Sequence, residues 1–399
     1  MCADQTGWPA FAGHDSIVVV CIRISSMADP DTETPPPPDA ANASVVVRLH
    51  AIAENFRRCR ELAGAAETAG VVKADAYGLG MEPVARALYA EGCRTFFVAR
   101  AREGVRLRPL VPAARIFVLD GVRDETASAF VAQRLIPVLN SLTQIDVWSA
   151  HAKSRNEMLD AALHIDTGMS RLGLPQDELD TLAQETPHRL RGLNLVLVMS
   201  HLACADDPAS AMNRDQLERF RAALAQLPQA PASLSSSGGI VLGRDYAFDM
   251  VRPGLALYGG NPHPHAPNPF RIAVTLAGQI LQLRCVDKGE CVGYGATFRA
   301  QRPSILATVG LGYADGLMRA IGNRGMGAIG GVRVPVVGRV SMDLASLDVT
   351  DVSGALVGTE VEFLGDTITL EELADAAGTA SYEILTSVGR RLKPRYIGA

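Results

Sequence analysis

Gly70-Val71-Val72-Lys73-Ala74 is a short β-branched run, and Asp75-Ala76-Tyr77-Gly78-Leu79-Gly80 turns the chain at its end. A helical stretch, Pro83–Glu91, follows, and then a second apolar run, Arg94–Val98. Strand, turn, helix and strand in about thirty residues is the unit from which parallel sheets are built. The alternation recurs in both directions. Before it, Val45–Leu49 reads as a strand, and Leu49, Ile52, Ala53, Phe56 and Cys59 then recur at helical spacing. After it come strands at Arg115–Leu119, Leu135–Leu139, Ala161–Ile165, Leu193–Met199 and Ala232–Ser235, with helical stretches such as Asn213–Leu227 between them. Eight strand–helix units predict an α/β fold with a (β/α)8 TIM barrel; a doubly wound open sheet is the competing arrangement.

Beyond about residue 270 the helices give way to strands at Ile272–Cys285, Cys291–Phe298, Ser304–Gly310, Val332–Val337 and Glu360–Leu364, separated by glycine-rich turns. A last helix, Leu370–Ala377, precedes a basic tail. The predicted organisation is an extension over 1–43, a barrel over 44–271 and a mostly-β domain over 272–399. The extension carries Pro35–Pro38 and no periodic apolar face, which predicts extended, solvated chain; Met27 offers an alternative start.

The 399 residues are 48% hydrophobic and 20% charged, enough to bury a large core. The net charge is -5 and the basic residues are dispersed, which argues against a nucleic-acid groove. Seven scattered cysteines form no C-x-x-C pair, so neither a zinc site nor a disulfide framework is expected. Cys285 and Cys291 read as small hydrophobes in strands. The run Ile17–Ile22 is too short to span a membrane, and the residues before it lack the basic start of a signal peptide. A reducing, cytoplasmic setting follows as the expectation.

Several strand ends carry chemistry. Lys73 sits where a barrel strand would open onto the active-site mouth. A strand-end lysine commonly just reaches for water, but Tyr77 and two glycines beside it supply a hydroxyl and a close backbone. Leu163-His164-Ile165-Asp166-Thr167-Gly168-Met169-Ser170-Arg171 also runs from strand into turn. Arg171 there is either a surface residue or a fork for a substrate carboxylate. Met199-Ser200-His201 ends the next strand, and His201 is structural unless its neighbours give it a role. Ser235-Ser236-Ser237-Gly238-Gly239, with Val251-Arg252-Pro253-Gly254-Leu255, is either a phosphate cradle or a flexible loop. The β region adds Gly293-Tyr294-Gly295, Gly312-Tyr313-Ala314 and Gly338-Arg339-Val340-Ser341-Met342, as packing turns or as parts of a site.

Taken together over residues 44–399, these segments resemble the alanine racemase family. The resemblance implies a barrel with a C-terminal β domain and a homodimer with shared active sites. It implies pyridoxal 5′-phosphate as cofactor, held by Lys73 as a Schiff base. Lys73 would be one acid/base, and Tyr294, from the second subunit, the other. Tyr77, Ser237, Gly254, Leu255 and Tyr382 would bind the phosphate. Arg252 would face the pyridine nitrogen, and His201 would link to the catalytic tyrosine. Arg171 and the amide of Met342 would lie near the substrate carboxylate, with Tyr313 at the entrance. A phenol ordinarily titrates near ~10, so positive charge on His201 and Arg252 together would favour the phenolate. Arginine, with a pKa above ~12, would donate to the ring nitrogen without transferring a proton.

Two positions depart from the family pattern. His164 replaces a lysine that is commonly carbamoylated and orients the arginine corresponding to Arg171; a bound anion or a rearranged imidazole contact would have to serve. Ser236 replaces an asparagine. The implied activity is an isomerase interconverting L- and D-alanine, for peptidoglycan or for alanine catabolism. The alternatives are a broader amino-acid racemase, acting for example on serine, a PLP-dependent decarboxylase and a non-catalytic PLP-binding protein. The β region argues against the last.

Overall fold

The computed structural model describes residues 42–388 and 391–398. Seven parallel strands follow one another in chain order: Gly70–Val71, Thr95–Val98, Arg115–Val118, Leu135–Leu139, Leu159–His164, Leu193–Met199 and Ala232–Ser233. An eighth, Met250–Val251, closes the ring. It pairs in parallel with Glu67–Thr68, which runs on into Gly70–Val71, and Ala69 N donates to Val251 O at 2.9 Å. On its other side Asp249 N donates to Ala232 O at 3.0 Å and Arg252 N to Ser235 O at 2.9 Å.

The barrel strands are apolar on both faces. Thr95–Val98 and Leu135–Leu139 are buried throughout, as strands between an inner core and an outer layer of helices must be. The helix Met81–Ala90 buries Met81, Val84, Ala85 and Leu88, a single stripe at helical spacing. Leu49–Ala63 likewise buries Leu49, Ile52, Ala53, Phe56 and Cys59.

The count of eight barrel strands is as expected, but one member differs. Ala43–Arg48 is a strand of the second sheet, antiparallel to Val274–Val286 and parallel to Arg395–Ile397. Its burial alternates, with Val45 and Val47 inward, which is the period of a strand covered on one face. Met250–Val251 takes the barrel position instead; two residues are too few for a periodic signal. Of the expected extension, residues 1–41 lie outside the described residues.

In the second sheet the 13-residue strand Val274–Val286 is central and pairs with Ala43–Arg48, Ser304–Val309 and Glu360–Leu364. The predicted strand Cys291–Phe298 is instead a short hairpin. Cys291–Val292 pairs with Phe298–Arg299, and the turn Tyr294–Ala296 lies between them. Gly293 and Gly295, at φ 70° and 73°, break the strand and put Tyr294 at the tip. Cys285 and Cys291 lie in strands, as expected, but both are exposed rather than packed. The strands Met326–Ile329, Ala345–Asp348 and Arg395–Ile397 and the helix Ser381–Ser387 were not anticipated. Apolar residues of the barrel and of the second sheet belong to one contiguous core.

Phe97 and Phe117 stack inside this core with ring centroids 4.8 Å apart. Phe117→Ala is expected to lower stability by about 3–5 kcal/mol, read as a fall in the urea midpoint by circular dichroism. An unchanged midpoint would show that the stacked pair does not support the barrel.

Candidate active site

Lys73 follows the barrel strand Gly70–Val71 and opens a turn of unusual hand. Ala74, Asp75, Ala76 and Tyr77 have φ of 53°, 56°, 55° and 58°, four successive L-residues in the left-handed region. Each such residue costs about 1–2 kcal/mol, so the turn persists only because its surroundings hold it. The buried Tyr77 ring packs on Tyr258 at 4.8 Å and on Tyr382 at 6.0 Å. Tyr258 Oη donates to Val71 O at 2.8 Å, and Met81 N donates to Asp75 Oδ1 at 3.1 Å. The result is a close approach: a Cβ on Gly254 would stand 2.2 Å from Tyr77 Oη.

A cavity of about 740 Å³ opens at the C-terminal ends of the barrel strands. Its wall includes Lys73, Tyr77, His164, Arg171, His201, Ser237, Arg252, Gly254, Leu255 and Tyr382. The barrel, with Tyr382 from the C-terminal helix Ser381–Ser387, thus brings together ten residues singled out in the sequence. Ser237 Oγ accepts from Gly254 N at 3.0 Å and from Ala256 N at 3.1 Å, so backbone donors converge there. Burial pushes the Tyr77 phenol up, which keeps its hydroxyl a donor.

Positive charge is concentrated and little compensated. Arg252 is buried; its guanidinium donates to Ser233 Oγ, to Ser200 O at 2.6 Å and to Leu234 O at 3.4 Å, and lies 5.9 Å from the Phe97 ring centre. Among the described residues no carboxylate comes within ion-pair distance of Arg252, Lys73 or Arg171. Burial pushes Arg252 down to about 9, lower than an arginine's ordinary range but still protonated at neutral pH. Lys73 is also lowered, first by burial and then by the Arg171 guanidinium. That shift enlarges the share of free amine, the form that attacks a carbonyl or accepts a proton.

The two histidines are neutral. Burial, and next Arg252, hold His201 well below its ordinary range. Of the expected cationic pair, only Arg252 therefore carries charge at pH 7. His164 is buried, and its Nδ1 lies 2.8 Å from Asn140 Oδ1. Asn140 Nδ2 donates to Leu119 O at 3.0 Å and Val138 O at 2.8 Å, so its oxygen faces the ring. His164 Nδ1 then carries the hydrogen, and Nε2 keeps its acceptor lone pair.

Tyr294, Tyr313 and Met342 do not line this cavity. Tyr294 is 71% exposed at its hairpin tip. Tyr313 and Met342 are exposed together: Tyr313 N donates to Ser341 O at 3.0 Å and Ala314 N to Met342 O at 2.9 Å. Sequence reading missed Phe97, Asn140, Ser233 and Tyr258. Asn140 directly follows the predicted strand Leu135–Leu139, and that strand-end position was the available signal. The others look like ordinary core residues until the barrel closes.

The folded His164 imidazole takes a proton only near 4, against an ordinary value of 6.5, because burial and then Arg252 disfavour its cation. Between those values the unfolded chain binds more protons. Stability from this group is therefore full above about 6.5 and lost as pH falls towards about 4, by about 3 kcal/mol in total. His164→Gln is expected to flatten the dependence of the unfolding midpoint on pH over that window. Identical slopes in both proteins would rule out His164 as the source.

Comparison with known proteins agrees with this arrangement. Residues 47–262 match the family "Alanine racemase, N-terminal domain", and residues 273–396 match "Alanine racemase, C-terminal domain". An alanine racemase of Rhodospirillum rubrum is 49% identical over 90% of this chain and 97% of its own length. A catabolic alanine racemase of Agrobacterium fabrum is 46% identical over 90% of this chain and 92% of its own. The crystal structure of alanine racemase from Bartonella henselae, which has covalently bound pyridoxal phosphate, superposes with a TM-score of 0.85 at 40% identity. It covers 89% of this chain and 99% of its own. A barrel with a lysine-centred cavity, a mostly-β second part and matches across both place the chain in the alanine racemase family.

Proposed function

We propose that the chain is a pyridoxal 5′-phosphate-dependent alanine racemase that interconverts L- and D-alanine with Lys73 and Tyr294 as its two proton-transfer groups. The carrying observation is the half-buried Lys73, which shares a cavity with the Tyr77 and Ser237 hydroxyls and with a buried Arg252 that no carboxylate among the described residues neutralises. Such a cavity suits an anionic, carbonyl-bearing cofactor. The Gly254 approach to Tyr77 leaves no space for a side chain and so keeps the cradle open to a phosphate. When bound, pyridoxal phosphate would delocalise the electron pair left by the departing α-proton.

The protein's own groups do the rest. Tyr77, Ser237, Gly254, Leu255 and Tyr382 hold the phosphate end. Arg252 would donate toward the ring nitrogen and keep its own proton, which would limit the electron sink and disfavour transamination. Lys73 takes or returns the proton at Cα on one face. Tyr294 serves the other face, supplied with Tyr313 and the Met342 amide by a second copy of the chain. Support for that shared arrangement is the exposure of all three side chains and their absence from the cavity formed by one chain. Arg171 holds the substrate carboxylate. His164, neutral and with a free Nε2 lone pair, offers the guanidinium an acceptor in place of a carbamoylated lysine. The D-alanine formed would serve peptidoglycan or enter alanine catabolism. Free, unpaired cysteines suit the cytoplasm; no described helix is long and apolar enough to cross a membrane.

D-alanine formed from L-alanine, detected by coupled D-amino-acid oxidase, tests the reading. Carbon dioxide release without inversion would sink it in favour of a decarboxylase, and equal turnover of serine would favour a broader racemase. Lys73→Ala is expected to abolish the absorbance of the lysine-bound cofactor together with turnover. Tyr294→Phe should keep the absorbance and lose about 10²–10⁴-fold in rate, unequally in the two directions. Mixing the two inactive variants should restore about a quarter of the wild-type sites, because each mixed dimer rebuilds one of two. No recovery on subunit exchange would show that the site is not shared.

A further inference from the structure

Glu103 touches neither the cradle nor the expected substrate position, yet it is bonded to the residue next to Lys73. It is the third residue of the helix Ala101–Leu107, which follows the barrel strand Thr95–Val98. Oε2 accepts from Ala99 N at 2.8 Å and from Arg100 N at 3.0 Å. The Arg100 bond is the ordinary service of a glutamate at this position, which satisfies a free amide at a helix start. Oε1 does something a helix cap does not require: it reaches the neighbouring strand end and accepts from Ala74 N at 2.8 Å.

That second bond matters because of the turn it enters. The left-handed turn has internal bonds from Ala76 N to Val72 O at 2.9 Å and from Gly78 N to Ala74 O at 2.8 Å. Its first amides have no acceptor inside the turn, as at the start of any helix. Glu103 supplies one for Ala74, directly after the lysine, in a segment whose four left-handed residues depend on outside support. The carboxylate also sits close enough to Lys73 to favour its protonated form, against burial and the Arg171 charge.

We propose that Glu103 is a positioning residue for Lys73, its one carboxylate capping both the left-handed turn that carries the lysine and the right-handed helix after the adjacent strand. The proposal rests on the reading of Lys73 as the cofactor-bearing base. Glutamine at 103 retains one carbonyl acceptor but turns an NH2 group toward the remaining amides. Aspartate retains the charge with a reach too short for both sides.

The test uses the full chain loaded with pyridoxal phosphate, as wild type, Glu103→Gln, Glu103→Asp and Lys73→Ala. For Glu103→Gln, kcat should fall about 10- to 100-fold with KM for L-alanine within about threefold, as for a displaced base rather than lost binding. The visible band of the lysine-bound cofactor should titrate at lower pH. Hydrogen exchange in the cofactor-free chain should quicken at least about tenfold over residues 74–80. Glu103→Asp should keep the band's titration nearer to wild type while sharing the faster exchange. If both variants lose thermal stability but keep wild-type kcat, band titration and exchange over 74–80, Glu103 is a helix cap only and the proposal falls. If Glu103→Gln does not fold, wild-type exchange over 74–80 in Glu103→Asp alone would overturn it. Racemisation by Lys73→Ala would instead overturn the lysine reading, whatever the Glu103 variants do.

Discussion

Everything at this site depends on a turn that the backbone would not adopt alone. Four L-residues after Lys73 are left-handed, and their steric cost is met by bonds and packing from outside the turn. Tyr77 is the anchor: its ring is wedged between Tyr258 and Tyr382, and its hydroxyl is driven against Gly254. One deformation therefore sets three things together. It places the lysine on the cavity wall, brings the Tyr77 hydroxyl beside Ser237 and Gly254, and demands a glycine at the end of the adjacent barrel strand. The turn also joins the barrel to the C-terminal region, since a Cβ at Gly78 would collide with Leu385 O at 2.9 Å.

Electrostatics supply the second constraint. Cationic groups crowd the cavity, and burial lowers Lys73, His164, His201 and Arg252 alike. The two histidines respond by staying neutral, whereas Arg252 keeps its charge and distributes its hydrogens over Ser233, Ser200 and Leu234. An anionic ligand would relieve this field, so cofactor affinity and lysine reactivity draw on the same source. At His164, Asn140 selects the tautomer and leaves the Nε2 lone pair as an acceptor.

The barrel was legible because parallel strands buried on both faces appear as short unbroken apolar runs, as at Thr95–Val98 and Leu135–Leu139. Ala43–Arg48 misled because a strand's sequence does not record which sheet it joins. Its alternating burial appears only in the folded chain, because Val45, Val46 and Val47 are all valine. Met250–Val251 was missed because its pairing rests on backbone bonds over two residues. The hairpin at Tyr294 was read as continuous strand because the positive φ of Gly293 and Gly295, rather than any loss of β-branched residues, interrupts it.

The sequence by itself determined the chemical inventory: a lysine at a strand end, a serine–glycine segment, the arginine of Val251-Arg252-Pro253-Gly254 and a tyrosine between glycines. It also determined the strand–helix alternation, because apolar periodicity is a local property; only the pairing of Met250–Val251 decided for a closed barrel over an open sheet. Tertiary structure alone decided the states of these groups. The neutrality of His164 and His201, the left-handed path after Lys73 and the double service of Glu103 arise from burial and from neighbours distant in the chain. Charge state and strain are set by surroundings, and surroundings exist only once the strands have closed into a ring.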